Sequence, residues 1–557
     1  MNKILPILFL AAATVFAEDN ITDLNAFISQ KIASGEKTVV VPSGTYRLKA
    51  IPGKNAHLYF ENLNGVTIIG DGAELLFQDT ANMIRIVNCK NFELRGFSLD
   101  TEPLAFTQGR IIKMSEDRMT LDIEVFSGYP TSSKKWGVME IFNPETRILR
   151  TRQYPTKLVE PIGKNILRVT LIDALKNIPI PERIEKLGDI AVISNLDAAS
   201  GISSAGCDKL TFKNITTYSS REMAYFDLGS KDTVFDSCKI LRREKNDYVE
   251  RGNPRLRSIN ADGYHARGAI RGPTLINCEA EFAGDDLVAL EGVYHLVSAQ
   301  NGRTLRAIVR DMGQLCMSAG DEIEIFKSDG VVLRAKVSAI AKAAGTTSEE
   351  RAFISSWNFP PSFKKPPRMS EAFDITLDSD ISAPRGSLIV SLSAACRGYK
   401  IIGGRFAYVR SRGMLLKASD GVVDGATIIG ARMECIKIAP EHYWLEAAHS
   451  QNVVIKNCSI TAGLGVAIGV TSPSADYKGY SPAGAHKNIK ILNNDIKYFY
   501  PPCLVFTSID GLEFRGNKIS ELKEPIYFKS WKDEKLSPAV IEKFFMTTFC
   551  ECAASSQ

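Results

Sequence analysis

The chain has 557 residues, 45% hydrophobic and 24% charged, the balance of an ordinary soluble globular protein rather than a disordered or fibrous one. A net charge of +5 is small for this length, and basic pairs such as Arg242-Arg243 and Lys364-Lys365 are short and scattered, so no nucleic-acid surface is expected. The length also exceeds one ordinary domain unless the chain is a repeat fold.

The first residues read as a targeting segment. Lys3 supplies the positive charge, Ile4 to Val15 the apolar run, and Val15-Phe16-Ala17 a small-residue cleavage site before Glu18. The run is too short to span a bilayer comfortably, and no later stretch is long and apolar enough. The expectation is a secreted or periplasmic protein with residues 1–17 removed by cleavage after Ala17. From Leu24 to Ala33 apolar residues fall at helical spacing, and Gly35 follows as a stop. Lys37 to Tyr46 then reads as strand, turn, strand. A short amphipathic helix in this place can close the open end of a β-solenoid.

Next comes a recurring phrase: a polar turn, a short β-branched strand, an Asn or Gly bend, another short strand. It occurs at Leu63–Gly72, Cys89–Leu99, Cys207–Ile215, Lys231–Cys238, Pro273–Phe282, Arg397–Gly404, Ser419–Ile428, Gln451–Cys458, Lys487–Asn494 and Asp510–Asn517. Each copy is too short to bury its own apolar face, so stacking must stabilise it. Asn and Gly suit the bends because they tolerate left-handed backbone. The fold class this predicts is all-β: a parallel β-helix, right-handed on the crossover preference.

The phrase fails twice. Residues 106–195 and 296–382 change to longer alternating strands with turn residues between, as in small antiparallel β-barrels. The predicted organisation is coils with a capping helix over 18–105, a barrel over 106–195, central coils over 196–295, a second barrel over 296–382, and coils with a tail over 383–557. There are eleven cysteines, several beside strands: Cys89, Cys207, Cys238, Cys278 and Cys458. They read as buried wall residues; disulfides, which export would permit, are the alternative. Cys550 and Cys552 near the C-terminus stay unassigned.

The chain is organised around Ser258 to Gly292, which holds Asp262, Asp285 and Asp286. The interval 285 − 262 = 23 residues fits one circuit of a coil, which would stack Asp262 and Asp285 about 4.8 Å apart along the solenoid. Separately, Asp-Gly and Gly-Asp-Asp are turn residues. At one-coil spacing, with His265 beside them, they suit glycosidic hydrolysis: one carboxylic acid protonates the leaving oxygen and another activates water. An inverting pair is about 6.5–9.5 Å apart, and mutual repulsion raises at least one pKa. Further candidates for holding a sugar are His265, Glu291, Tyr294, Arg412, Trp444 and Glu446; each also has a packing or surface reading. His442 and His449 are not spaced with carboxylates as a metal set, and no P-loop, dinucleotide fingerprint or nucleophile elbow is found, so no metal or cofactor is expected.

The whole plan resembles glycoside hydrolase family 110, the exo-acting α-1,3-galactosidases. Ala261 to His265 resembles the family's aspartate coil, and Asp285-Asp286 followed by Gly292 to Tyr294 its paired-aspartate coil. Ser411 to Leu416 and Tyr443 to Glu446 resemble later segments. The resemblance implies an inverting, metal-independent enzyme acting on a terminal galactoside, with Asp285 as general acid and Asp262 and Asp286 polarising the water. The chain departs from the family at Glu291, where relatives tend to carry histidine. Three alternatives stay open. One is a polygalacturonase-like hydrolase, though its Gly-His-Gly and Arg-Ile-Lys marks are missing; the others are a polysaccharide lyase and a non-catalytic carbohydrate-binding solenoid. A carbohydrate is the expected partner, and a homodimer is compatible with the sequence.

Overall fold

The computed structural model describes residues 21 and 23–523, except 133–135, 151–153, 178–184, 196–198, 245–252, 312 and 475–478. The targeting segment, Cys550 and Cys552 lie outside the described residues. Among those described, no helix is long and apolar enough to cross a membrane.

Three parallel sheets run the length of a solenoid. In the first, each of the ten recurring phrases supplies one strand, from Thr67–Ile69 to Ile509–Arg515, with Thr38–Val40 added at the start. Register shows why the phrase recurs. Ile68, Leu94, Phe212, Phe235, Leu275, Ile401, Val423, Ile455 and Ile491 stand in one row, and all are buried. Each such side chain gains roughly 1.5–3 kcal/mol on burial, a gain no single coil could collect alone. The bend after the strand needs positive φ, and Asn214, Asn277, Asn457 and Asn493 supply it at 50° to 56°. The helix Leu24–Ala33 buries Leu24 and Ile28 against the first coil, and Asp23 caps it by accepting from the Ala26 amide.

The two departures from the phrase are closed six-stranded barrels. The first spans Phe106–Met114 to Ile190–Asn195. The second runs from His295–Asn301 to Leu388–Ser391, so its closing strand lies beyond the expected bound at 382. That strand is short and apolar on both faces, and its pairing with Glu322–Phe326 and His295–Asn301 closes the barrel. The second barrel also carries an unexpected helix, Ser348–Ser356. Thr347 and Glu350 form a capping box at its start.

All nine described cysteines are free, and seven are buried. They are wall residues, and the disulfide alternative does not hold for them.

The third sheet matters for function. Its path includes Tyr225–Leu228, Tyr264–Arg267, Val288–Val293, Met414–Lys417, Ile436–Ile438 and Ile468–Val470. Alternate residues such as Tyr264, Val288, Leu290, Met414 and Leu416 point into the core. Their neighbours His265, Arg267, Glu291 and Lys417 point outward. The first barrel packs over the corner leading into this sheet, at Leu256, Phe282 and Leu464. The second packs beyond its far edge, through Tyr294, Leu445 and Ala447.

Candidate active site

Counting along the third sheet corrects the coil interval. Tyr264 pairs with Val288, so the step is 288 − 264 = 24 residues. Asp286, not Asp285, therefore stands over Asp262; Asp285 stands over Ala261. Met414 and Ile436 continue the register, which puts Arg412 and Glu434 in the same row. The row Asp262, Asp286, Arg412, Glu434 lies two residues ahead of each inward-facing strand residue. It borders the outward face of the sheet.

Asp262 and Asp286 are turn residues through one oxygen each. Asp262 Oδ1 accepts from the Asp286 amide at 2.9 Å, and Asp286 Oδ1 accepts from the Arg412 amide at 2.8 Å. Each carboxylate caps the turn of the next coil. The second oxygens face other groups: His265 Nδ1 lies 2.6 Å from Asp262 Oδ2, and Arg412 Nη1 lies 3.4 Å from Asp286 Oδ2. Asp285 caps nothing. Its Oδ2 accepts from Arg410 Nη2 at 2.8 Å, and its side chain is 41% exposed against 6% for Asp286. The coils approach closely here: a Cβ on Gly284 would lie 2.1 Å from the Asn260 carbonyl oxygen, so only glycine fits ahead of the pair.

One oxygen from each aspartate lies within 4.8 Å of the others. This is tighter than the expected inverting separation. The cause is the 24-residue register, which stacks two carboxylates directly and leaves the third beside them. Such a group can also bracket a cation. Its surroundings fit one poorly, because Arg410, Arg412 and His265 already occupy the oxygens that a hard cation would need.

Burial raises the Asp286 pKa to about 6; Arg412 opposes this, while Asp285 and Asp262 add to it. His265 goes the other way. Burial disfavours its charge, yet Glu291 and Asp262 lift it to about 9, so the imidazolium is the resident form. Behind it lies a buried ionic lattice. Arg267, Glu291 and Lys417 stand in one row across three coils, with Arg267 Nε 2.5 Å and Lys417 Nζ 3.2 Å from Glu291. Lys417 also meets Glu446 at 2.5 Å and Glu441 at 3.5 Å; Arg412 meets Glu441 at 2.6 Å. Glu441 is buried, which would raise it, but Arg412, Lys417 and Lys437 hold it at about 2. Burial and the Glu291 charge raise Glu446 to about 7 against the pull of Lys417.

The structure gathers Asp262, Asp285, Asp286, His265, Arg412 and, through Lys417, Glu291 and Glu446. Glu291 has no exposed surface and is fully engaged, a lattice member rather than a lining residue. Tyr294 is also fully buried and donates to Glu324 of the second barrel at 2.8 Å, so it joins coil to barrel and does not line the site. Trp444 is 43% exposed and packs edge-on against Tyr443 and Phe363. Sequence reasoning missed Arg267, Arg410, Lys417, Glu434 and Glu441. The signal was present for Glu434, which precedes the inward-facing Ile436 by two positions, as Asp262, Asp286 and Arg412 precede theirs.

Fold and site together define a class: a parallel β-helix with two inserted barrels and a cluster of three aspartates on one coil edge, similar to glycoside hydrolases. No family model matches the chain. Alpha-1,3-galactosidase B of Bacteroides thetaiotaomicron is 21% identical over 498 residues, covering 82% of this chain and 74% of that protein. Alpha-1,3-galactosidase A of Peterkaempfera griseoplana is 24% identical over 278 residues, 49% of this chain and 37% of that protein. Among solved structures, the A-module of mannuronan C-5 epimerase AlgE4 from Azotobacter vinelandii superposes with a TM-score of 0.40 at 13% identity, over 90% of this chain and 91% of that one. The two galactosidases bear out the resemblance to glycoside hydrolase family 110.

Proposed function

We propose that the protein is an exo-acting, inverting glycoside hydrolase that removes a terminal α-linked sugar of galactose type from a glycan. The observation that carries this reading is the division of labour among the aspartates. Asp262 and Asp286 are held by turn amides, His265 and Arg412, so neither is free to attack carbon. They suit the holding of a water molecule. Asp285 is the accessible member and suits proton delivery.

In this mechanism the Asp285 carboxyl gives its proton to the glycosidic oxygen as the bond from that oxygen to the anomeric carbon breaks. Water attacks the opposite face of the ring and passes a proton to the Asp262–Asp286 pair. The sum is addition of one water and inversion of the anomeric centre. Asp286 can take the proton of the water only when ionised, so activity should rise as pH passes about 6, the value to which burial raises it.

Trp444, 43% exposed and two residues from Glu446, suits stacking on a sugar ring. The targeting segment read over residues 1–17 supports an extracytoplasmic site of action.

A panel of chromogenic glycosides tests the reading. Release from α-galactosides and none from galacturonides is expected. Cleavage confined to galacturonides, or binding of galactosides without turnover, contradicts it.

A further inference from the structure

The first barrel reaches toward the aspartate edge through Glu140. Glu140, in the strand Trp136–Phe142, is 2% exposed, and its Oε2 lies 2.5 Å from Arg257 Nη2. Its Oε1 accepts no hydrogen bond among the described residues and lies 3.4 Å from Arg410 Nε. Arg410 in turn donates to the Gly284 carbonyl through Nε and to Asp285 Oδ2 through Nη2. Arg257 approaches Asn260, two residues ahead of Asp262, at 3.4 Å. A buried carboxylate oxygen without a hydrogen bond is costly. This one stands between the two arginines that reach the Asn260 and Gly284 turns.

We infer that Glu140 is a positioning residue for the proposed hydrolysis, lent by the inserted barrel to fix Arg410 and, through it, the orientation of Asp285. The inference rests on the reading of Asp285 as the proton donor. Arg410 has two demands on its guanidinium, the Gly284 carbonyl and the Asp285 carboxylate. Glu140 anchors it from behind, so it does not fold over Asp285 and block the approach of a leaving oxygen. The charged groups facing Asp285 are Arg410, Arg412, Asp286, Asp262 and, behind Arg410, Glu140. A simple barrel-to-coil tie is already supplied by the Arg257–Glu140 pair and does not require the second oxygen to face Arg410.

The test is a leaving-group series on the intact protein. Aryl α-galactosides with a dinitrophenyl leaving group need no proton, whereas methoxyphenyl galactosides and disaccharides do. For Glu140→Gln we expect kcat on the poor leaving groups to fall on the order of 10- to 100-fold, with less than about 3-fold loss on dinitrophenyl galactoside and little change in KM. Glu140→Asp should restore part of the loss. Equal losses on both classes, or a loss tracking a lowered melting temperature, overturn the inference while leaving the hydrolase reading intact. Asp285→Asn in the same series separates the two claims. It should show the same leaving-group dependence in stronger form; if it shows none while wild type turns over, the assignment of Asp285 fails and this inference with it.

Discussion

The protein contains two constellations with the residue types of catalysis, and they differ in everything except chemistry. In one, Glu324 Oε1 lies 2.7 Å from His449 Nδ1, and His449 Nε2 lies 2.7 Å from Ser472 Oγ, the connectivity of an acid–base–nucleophile triad. Yet Glu324, His449 and Ser472 have no exposed surface, and Ser472 is further bonded to Ser481 at 2.6 Å. No substrate can reach them; Tyr294 and Glu324 bind the second barrel to the coils. In the other, three aspartates sit on a coil edge, one of them 41% exposed, and Asp286 holds its proton through burial and the neighbouring carboxylates. Access and an uneven distribution of protons are what the proposed site has and the saturated buried network of the joint lacks.

Four substitutions sharpen or break that contrast. Asp285→Asn should lower turnover by about 1000-fold or more with an unchanged melting temperature, because the side chain caps no turn and is partly exposed; retained activity would put the chemistry elsewhere. His449→Ala should do the reverse. Leaving Glu324 buried without its partner costs roughly 3–5 kcal/mol, seen as a lower denaturation midpoint with near-normal turnover per folded molecule. An activity loss without destabilisation would make the joint a second site.

Asp286→Asn should separate function from stability. Asp286 rises from 3.8 in the unfolded chain to about 6 in the fold, so between those values the native state holds more protons. Stability from this group is present below pH 4, declines as pH rises through the window, and is lost above about 6. The variant keeps the Oδ1 acceptor for the Arg412 amide. It should therefore be inactive but more stable than wild type at pH 8, by on the order of 1–3 kcal/mol, with the gain vanishing near pH 4. A gain that is independent of pH in chemical denaturation would sink this account of the raised proton affinity. The smallest effect belongs to Trp444→Ala: about 1 kcal/mol of lost stacking, seen as a KM raised several-fold at constant kcat.

The solenoid was legible because its physics repeats. Ten short phrases with Asn or Gly bends can bury their apolar faces only by stacking, and each became one strand of the first sheet. The aspartates were legible for the same reason, though the 23-residue interval paired the wrong member with Asp262. It measured turn to turn, whereas register is set by inward-facing residues such as Tyr264 and Val288. The ionic lattice was not legible. Lys417 meets Glu291 across 126 residues of chain, with the whole second barrel between them, and no local pattern announces that contact. Tyr294 was misplaced because its strand continues into the barrel joint. The helix Ser348–Ser356 announced itself through Thr347 and Glu350, but the strands around it dominated the reading of that region.

The sugar released in the first minutes of reaction tests the central claim most directly. In a proton NMR time course with an α-1,3-linked digalactoside, water delivered by Asp262 and Asp286 against a proton from Asp285 must yield β-galactose first, with the α-anomer growing in only by mutarotation. Initial release of α-galactose would mean that a carboxylate attacks carbon, and the division of roles drawn from the coil edge would be wrong.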